Sequence, residues 1–254
     1  SEYYKIVGFL WAVPLTYFFL LYIAMKDGKK AIKGLSLHAL YGILLTVLII
    51  GLFLHRYLWL ILLIVASVIC FYEFSILTKK VWIKKKSLIF CSNIVIFFYL
   101  IFFTYTSFEI YKQEFNLIIF LLLICVFSDI GGYAVGKTIG GKKLTKISPN
   151  KTISGALGSL VFSLIPLIIF LYIQKFSINS GFQINTSGFT EMIYVCLFIS
   201  LISQLGDLLI SFFKRKAKIK DTGSILPGHG GLLDRMDGIL FAIPSFFIVN
   251  KIFF

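Results

Sequence analysis

Between Ser203 and Gly238 the chain reads SQLGDLLISFFKRKAKIKDTGSILPGHGGLLDRMDG, a dense polar stretch in apolar surroundings. On a helix, Asp207 and Ser211 lie four apart and face one side, with Lys214 a further turn along. Asp234 and Asp237 are three apart and can share a face at the start of a following helix. Between the two pairs, LPGHGG supplies one proline and three glycines, a loop that can bring backbone N–H groups close to an anion. Carboxylates from two helices beside a basic, glycine-rich loop suit Mg²⁺ and phosphate together. That ion takes one or two carboxylates and completes its shell with phosphate oxygens and water.

A second polar block, Ser128 to Gly155, reads SDIGGYAVGKTIGGKKLTKISPNKTISG. Asp129 enters it, and Lys137, Lys142, Lys143, Lys146 and Lys151 follow. Within it GGYAVGKT, Gly131 to Thr138, formally matches the pattern of a phosphate-cradling loop. Such a loop needs a buried strand before its glycines and a helix starting at the lysine. What precedes Gly131 is FNLIIFLLLICVFSDI, long enough with its neighbours to cross a membrane. The match is therefore accidental, and Lys137 is one basic residue among many.

The elements that must position these residues follow from composition. Of 254 residues 59% are hydrophobic and only 14% charged, and the mean hydropathy is +0.94, which points to an integral membrane protein. Apolar runs expected to cross as helices cover residues 6–25, 37–54, 57–77, 87–105, 115–136, 153–173, 190–213 and 237–254. The expectation is an all-α polytopic protein of about eight transmembrane helices forming one membrane domain over 1–254, its chemistry mainly in 128–238. The first run has little basic flank and no small-residue cleavage site, and reads as an anchor. Of the 25 Lys and Arg residues, 20 fall in the connections 26–36, 78–86, 137–152 and 214–236. That asymmetry puts these connections in the cytoplasm and Ser177 to Thr190 outside. The net charge of +14 thus reports orientation and an anionic ligand rather than nucleic acid. Cys70, Cys91, Cys125 and Cys196 lack metal-type spacing and read as small core residues. Glu73, in the third run, reads as a structural partner of the nearby Lys79 and Lys80.

The stretch from Ser211 to Asp237 resembles the signature of the bacterial phosphatidate cytidylyltransferases. Ser211, Lys214, Arg215, Lys220, Asp221, Pro227, His229, Gly230, Gly231, Asp234, Arg235 and Asp237 stand at that family's spacing. The block from Asp129 to Gly155 is similar to the family's as well. It departs at Ile130, where a hydroxyl residue is usual, and at Ile153 and Ser154, where Trp and an acidic or amide residue often stand. The first half matches in hydropathy and in YEFSIL, Tyr72 to Leu77.

The resemblance implies a Mg²⁺-dependent transfer of CMP from CTP to phosphatidate in the bilayer, giving CDP-diacylglycerol and pyrophosphate. It implies Asp207 and Asp234 as principal metal ligands, with Asp237 and Asp129 beside them. Lys214 and Arg215 would act in catalysis. Ser211, Lys220, His229, Arg235, Lys142 and Lys151 would bind substrate. The expected setting is a bacterial inner membrane with the site facing the cytoplasm, amid membrane lipids, and a homodimer is allowed. Two other readings fit the hydropathy: an ion-coupled transporter, and a different CTP-dependent lipid kinase or cytidylyltransferase.

Overall fold

The computed structural model describes residues 56–83, 85–145, 148–176, 186–223, 225 and 230–253. Two units are distinguished, Ser1–Trp59 and Leu60–Phe254. Only residues 56–59 of the first are described, so the fold below is that of the second. The expected spans 6–25 and 37–54, and Lys84, Lys146 and His229, lie outside the described residues.

Seven helices are described: α1 (Arg56–Val81), α2 (Lys86–Gln113), α3 (Phe115–Thr138), α4 (Ile153–Phe162), α5 (Ile165–Phe176), α6 (Thr186–Lys216) and α7 (Leu233–Phe253). Among the described residues five stretches are long and apolar enough to cross a membrane: α1, α2, Asn116–Thr138 of α3, Ile153–Tyr172 across α4 and α5, and Gly188–Lys216 of α6. The expected last span corresponds to α7, whose first turn carries Asp234. α6 starts at Thr186, so helix already occupies the end of the stretch expected to be a loop up to Thr190.

Two prolines shape the bundle. The run 153–173, expected as one helix, turns at Ser163 and Leu164. Pro166 follows, with no N–H to return to the carbonyl of Phe162; Leu164 N turns to Val161 O at 3.2 Å, and the Ser163 hydroxyl donates to Leu160 O at 2.7 Å in its place. Pro244 lies inside α7 and leaves the carbonyl of Leu240 without its helical donor. The Tyr99 hydroxyl of α2 donates to that carbonyl at 2.9 Å, turning a helix defect into a contact between α2 and α7.

α3 packs against α2, α4, α5, α6 and α7. Its contact with α4 is made of small residues. A Cβ on Gly131 would lie 2.6 Å from Gly158 O, and one on Gly155 would lie 2.7 Å from Gly132 O. The glycines of GGYAVGKT are thus a helix-crossing surface, the close approach that small residues allow between membrane helices. Lys137 is exposed and donates to Tyr133 Oη at 3.2 Å. Cys70, Cys125 and Cys196 are buried as expected of small core residues, whereas Cys91 is exposed on α2 and is not one.

Candidate active site

α6 and α7 cross closely because glycine faces the partner on both. A Cβ on Gly206 would sit 2.6 Å from Asp237 O, and one on Gly238 would sit 3.3 Å from Ser203 O. Each glycine adjoins an aspartate, so the crossing sets Asp207 against Asp237, their carboxyl groups within hydrogen-bonding reach. The Asp237 side chain also accepts from Gly238 N at 2.9 Å and is almost wholly buried.

Three further charged groups surround this pair. Lys151 Nζ is ion-paired with Asp207 Oδ2. Lys214 Nζ lies 2.8 Å from Asp234 Oδ1 and near enough to Asp207 and Asp237 to attract both. Asp129 of α3 lies close enough to feel Asp207 and Lys151. The Ser211 hydroxyl donates to Asp207 Oδ1 at 3.2 Å, one helical turn along α6, as the four-residue spacing requires.

Lys151 reaches the cluster from the connection between α3 and α4, which folds back on itself. Leu144 N donates to Lys151 O at 2.8 Å and Ile153 N to Lys142 O at 3.0 Å. Gly140 and Gly141 make the turn with φ of 64° and 104°, conformations open to glycine. Thr152 then caps α4, accepting from Gly155 N at 3.0 Å. Ser154, a departure from the family pattern, donates its hydroxyl to Gly140 O and so closes the same turn.

Asp234 joins the cluster through Lys214. Its Oδ2 accepts from Thr222 N at 2.7 Å and Gly231 N at 3.2 Å, while Oδ1 holds Lys214. Burial opposes its charge, but Lys214 and these backbone donors outweigh that and hold the carboxyl below the usual carboxylate range. The carboxylate brought beside Asp207 is Asp237.

Glu73 is the residue that sequence reasoning placed wrongly. Among the described residues its partners are not lysines: it accepts from Thr222 Oγ1 at 3.1 Å, Leu232 N at 3.1 Å and Leu233 N at 2.8 Å. The first N–H groups of α7 have no helical acceptor, and a buried carboxylate satisfies them better than exposed lysines would satisfy it. The signal in the sequence is a carboxylate alone in an apolar run.

Of the other expected residues, Lys142, Lys220, Arg215 and Arg235 are exposed at this end of the bundle, Arg215 and Arg235 each with further interactions. Trp82, after α1, lies under Lys216 with its ring centroid 3.7 Å from Nζ, which brings the α1–α2 connection to the same end. Among the described residues no three His, Cys, Asp or Glu side chains are gathered to hold a metal by themselves. The Asp207–Asp237 pair offers two carboxylates with the rest of a coordination shell left to other ligands, which fits Mg²⁺ brought with phosphate.

A model of the cytidylyltransferase family matches residues 6–253. The chain is 42% identical over 138 residues to a phosphatidate cytidylyltransferase of Staphylococcus aureus (strain COL), covering 54% of this chain and 50% of that protein. Over 137 residues it is 39% identical to the phosphatidate cytidylyltransferase of Bacillus subtilis (strain 168), covering 53% and 48%. Over 145 residues it is 39% identical to that of Rickettsia typhi (strain ATCC VR-144 / Wilmington), covering 54% and 60%. The chain spans about half the length of the curated relatives it matches. The family match, by contrast, runs through the whole helical bundle and the polar cluster at its end, and the chain belongs to the cytidylyltransferase family.

Proposed function

We propose that the chain is a phosphatidate cytidylyltransferase, joining CMP from CTP to phosphatidate and releasing pyrophosphate. The observation that carries this reading is the Asp207–Asp237 pair flanked by Lys151 and Lys214, at the polar end of an apolar bundle. A water-soluble triphosphate and a lipid phosphate can both reach such a place. In the reaction a phosphate oxygen of phosphatidate bonds to the α-phosphorus of CTP while the bond to the β-phosphate oxygen breaks. The attacking oxygen is already ionised, so the requirement is to screen two anions and stabilise the departing pyrophosphate rather than to remove a proton.

Asp207 and Asp237, with Asp129 nearby, would hold Mg²⁺, which would supply that screening of negative charge. Lys151 and Lys214 are the cations the chain itself brings to the carboxylates, and they suit the triphosphate. Arg215, Lys220, Arg235, Lys142 and His229 are assigned to phosphate binding, the arginines by bidentate contact. Asp234 orients Lys214, Thr222 and Gly231, a role that its hydrogen bonds support beside metal ligation. The four basic connections face the cytoplasm of a bacterial inner membrane, supported by the charge asymmetry.

The test uses purified protein in phosphatidate-containing vesicles with CTP labelled at either the α- or the γ-phosphate. Label from the α position must enter lipid, dependent on Mg²⁺, and label from the γ position must leave as pyrophosphate. Entry of γ label into lipid would instead indicate a kinase, and entry of neither would return the transporter reading. Single cysteines near Lys142 and Lys218 should be labelled only from the cytoplasm; labelling from outside would reverse the orientation. Detergent-corrected sizing decides between a monomer and a homodimer.

A further inference from the structure

We propose that Glu73 is a positioning residue for the reaction, fixing Asp234 and Lys214 through Thr222 and through Gly231–Leu233; this rests on the cytidylyltransferase reading above. Glu73 is 1% exposed, on α1, and its hydrogen bonds cross 149 to 160 positions of sequence to reach Thr222, Leu232 and Leu233. Thr222 bridges the two carboxylates, its hydroxyl donating to Glu73 and its N–H to Asp234. Gly231 does the same by shape and hydrogen bond. Its N–H donates to Asp234, while a Cβ at its position would lie 2.5 Å from Glu73 Oε2. Gly223 leaves room in the same way, since a Cβ there would lie 2.5 Å from Glu73 Oε1.

A carboxylate that merely capped α7 would need only Leu232 and Leu233. Glu73 also grips Thr222, so Thr222 and Leu232–Leu233 are held to one buried group on another helix. Asp234 receives its two backbone donors from Thr222 and Gly231 and passes the constraint to Lys214 Nζ at 2.8 Å. Lys214 in turn faces Asp207 and Asp237. Charge-assisted hydrogen bonds to a buried carboxylate are strong and directional, so loss of the charge should loosen a whole chain of contacts.

The experiment compares wild-type protein with Glu73→Gln and Thr222→Val. Glu73→Gln keeps the shape but sets an amide NH₂ against backbone N–H groups. Thr222→Val removes the hydroxyl and leaves the N–H to Asp234. For Glu73→Gln we expect kcat to fall about 10- to 100-fold, the range for residues that orient a reactive group at one remove. KM for CTP should stay within about threefold, because the loss falls on the positioned transition state. Thr222→Val should fall less, and the double variant should be no worse than Glu73→Gln. Independently of substrate, the amides of Thr222 and Gly231, which are bonded to Asp234 and not to Glu73, should exchange hydrogen about tenfold or more faster in both variants. The Gly155 amide, capped by Thr152 elsewhere, should be unchanged.

Wild-type exchange at Thr222 and Gly231 would overturn the proposal, as would a loss of activity no larger than the loss of folded protein. If Glu73→Gln does not fold, Thr222→Val decides by the same measurements. If wild-type protein transfers no label, the cytidylyltransferase reading falls and the exchange rates alone judge Glu73.

Discussion

Adding one methyl group at Gly206 should damage both the fold and the site, by an amount the crossing of α6 and α7 sets. The new Cβ would lie 2.6 Å from Asp237 O and 2.7 Å from Phe241 Cδ2. Ordinary contact begins near 3.4 Å, so the helices must part by roughly 0.8 Å, the difference between 3.4 and 2.6. The obstructing atom is backbone, which cannot rotate away. Overpacking of this kind costs about 1–3 kcal/mol. Because Asp207 adjoins Gly206, the same displacement pulls it from Asp237, and a misplacement of about 1 Å can cost about 100-fold in rate. Gly206→Ala should therefore lower the melting temperature in detergent and reduce CTP-dependent lipid labelling by about two orders of magnitude. Gly136→Ala is the comparison, since its Cβ would meet nothing nearer than the Thr152 hydroxyl at 3.1 Å and should be milder in both measurements. Wild-type melting and labelling in Gly206→Ala would refute the claim that this crossing builds the site.

Asp207→Asn and Asp237→Asn should each lower turnover by about 100-fold or more, and the double variant should be little worse than either. Since two carboxylates are held together, removing one charge should leave metal-free melting unchanged or raise it; a large fall would refute the pairing. Lys137→Ala should cost less than about tenfold in labelling, because the residue lies exposed on a helix; abolished CTP binding in folded protein would reopen the phosphate-loop reading. Asp234, with its carboxyl held low, contributes stability that is fully present above its unfolded value of about 3.9 and is lost as pH falls through the lower folded value. Melting followed from pH 6 downward should thus fall more steeply in wild type than in Asp234→Asn, and equal slopes would refute the hydrogen-bonded, ionised Asp234.

Local spacing makes part of the site legible in the sequence. Asp207, Ser211 and Lys214 share a face of α6 because the helical repeat demands it, and the first and last of them reach α7. The starts of the helices α1 to α4 can be read to within a position because apolar length is a strong constraint, whereas α2 runs eight residues past the expected end at 105 and the run 153–173 is two helices. Contact between distant elements leaves no such local trace. Nothing near Glu73 in sequence indicates that its partners lie at Thr222, Leu232 and Leu233. The choice of Asp237 over Asp234 as the neighbour of Asp207 depends on the helix crossing at Gly206 and Gly238, a three-dimensional register that spacing within either helix does not reveal. The break before Pro166 is visible in principle. The apolar run around it masks the missing N–H.

The helix that carries Asp207, Ser211 and Lys214 has a second stripe. Leu201, Leu205, Leu209 and Phe212 follow one another by three or four residues and remain exposed. α6 is thus a strip with headgroup chemistry on one side and hydrocarbon on another. On the proposed function, a diacyl substrate would keep its tails in the bilayer that this stripe marks while its phosphate lies on the other side of α6, toward the aspartates. Such a substrate arrives by lateral diffusion in two dimensions and leaves the same way, without the cost of about 0.8 kcal/mol for each methylene drawn into water. Turnover on vesicles should then follow the mole fraction of the lipid in the surface, and diluting it with inert lipid should slow the reaction even at constant total concentration.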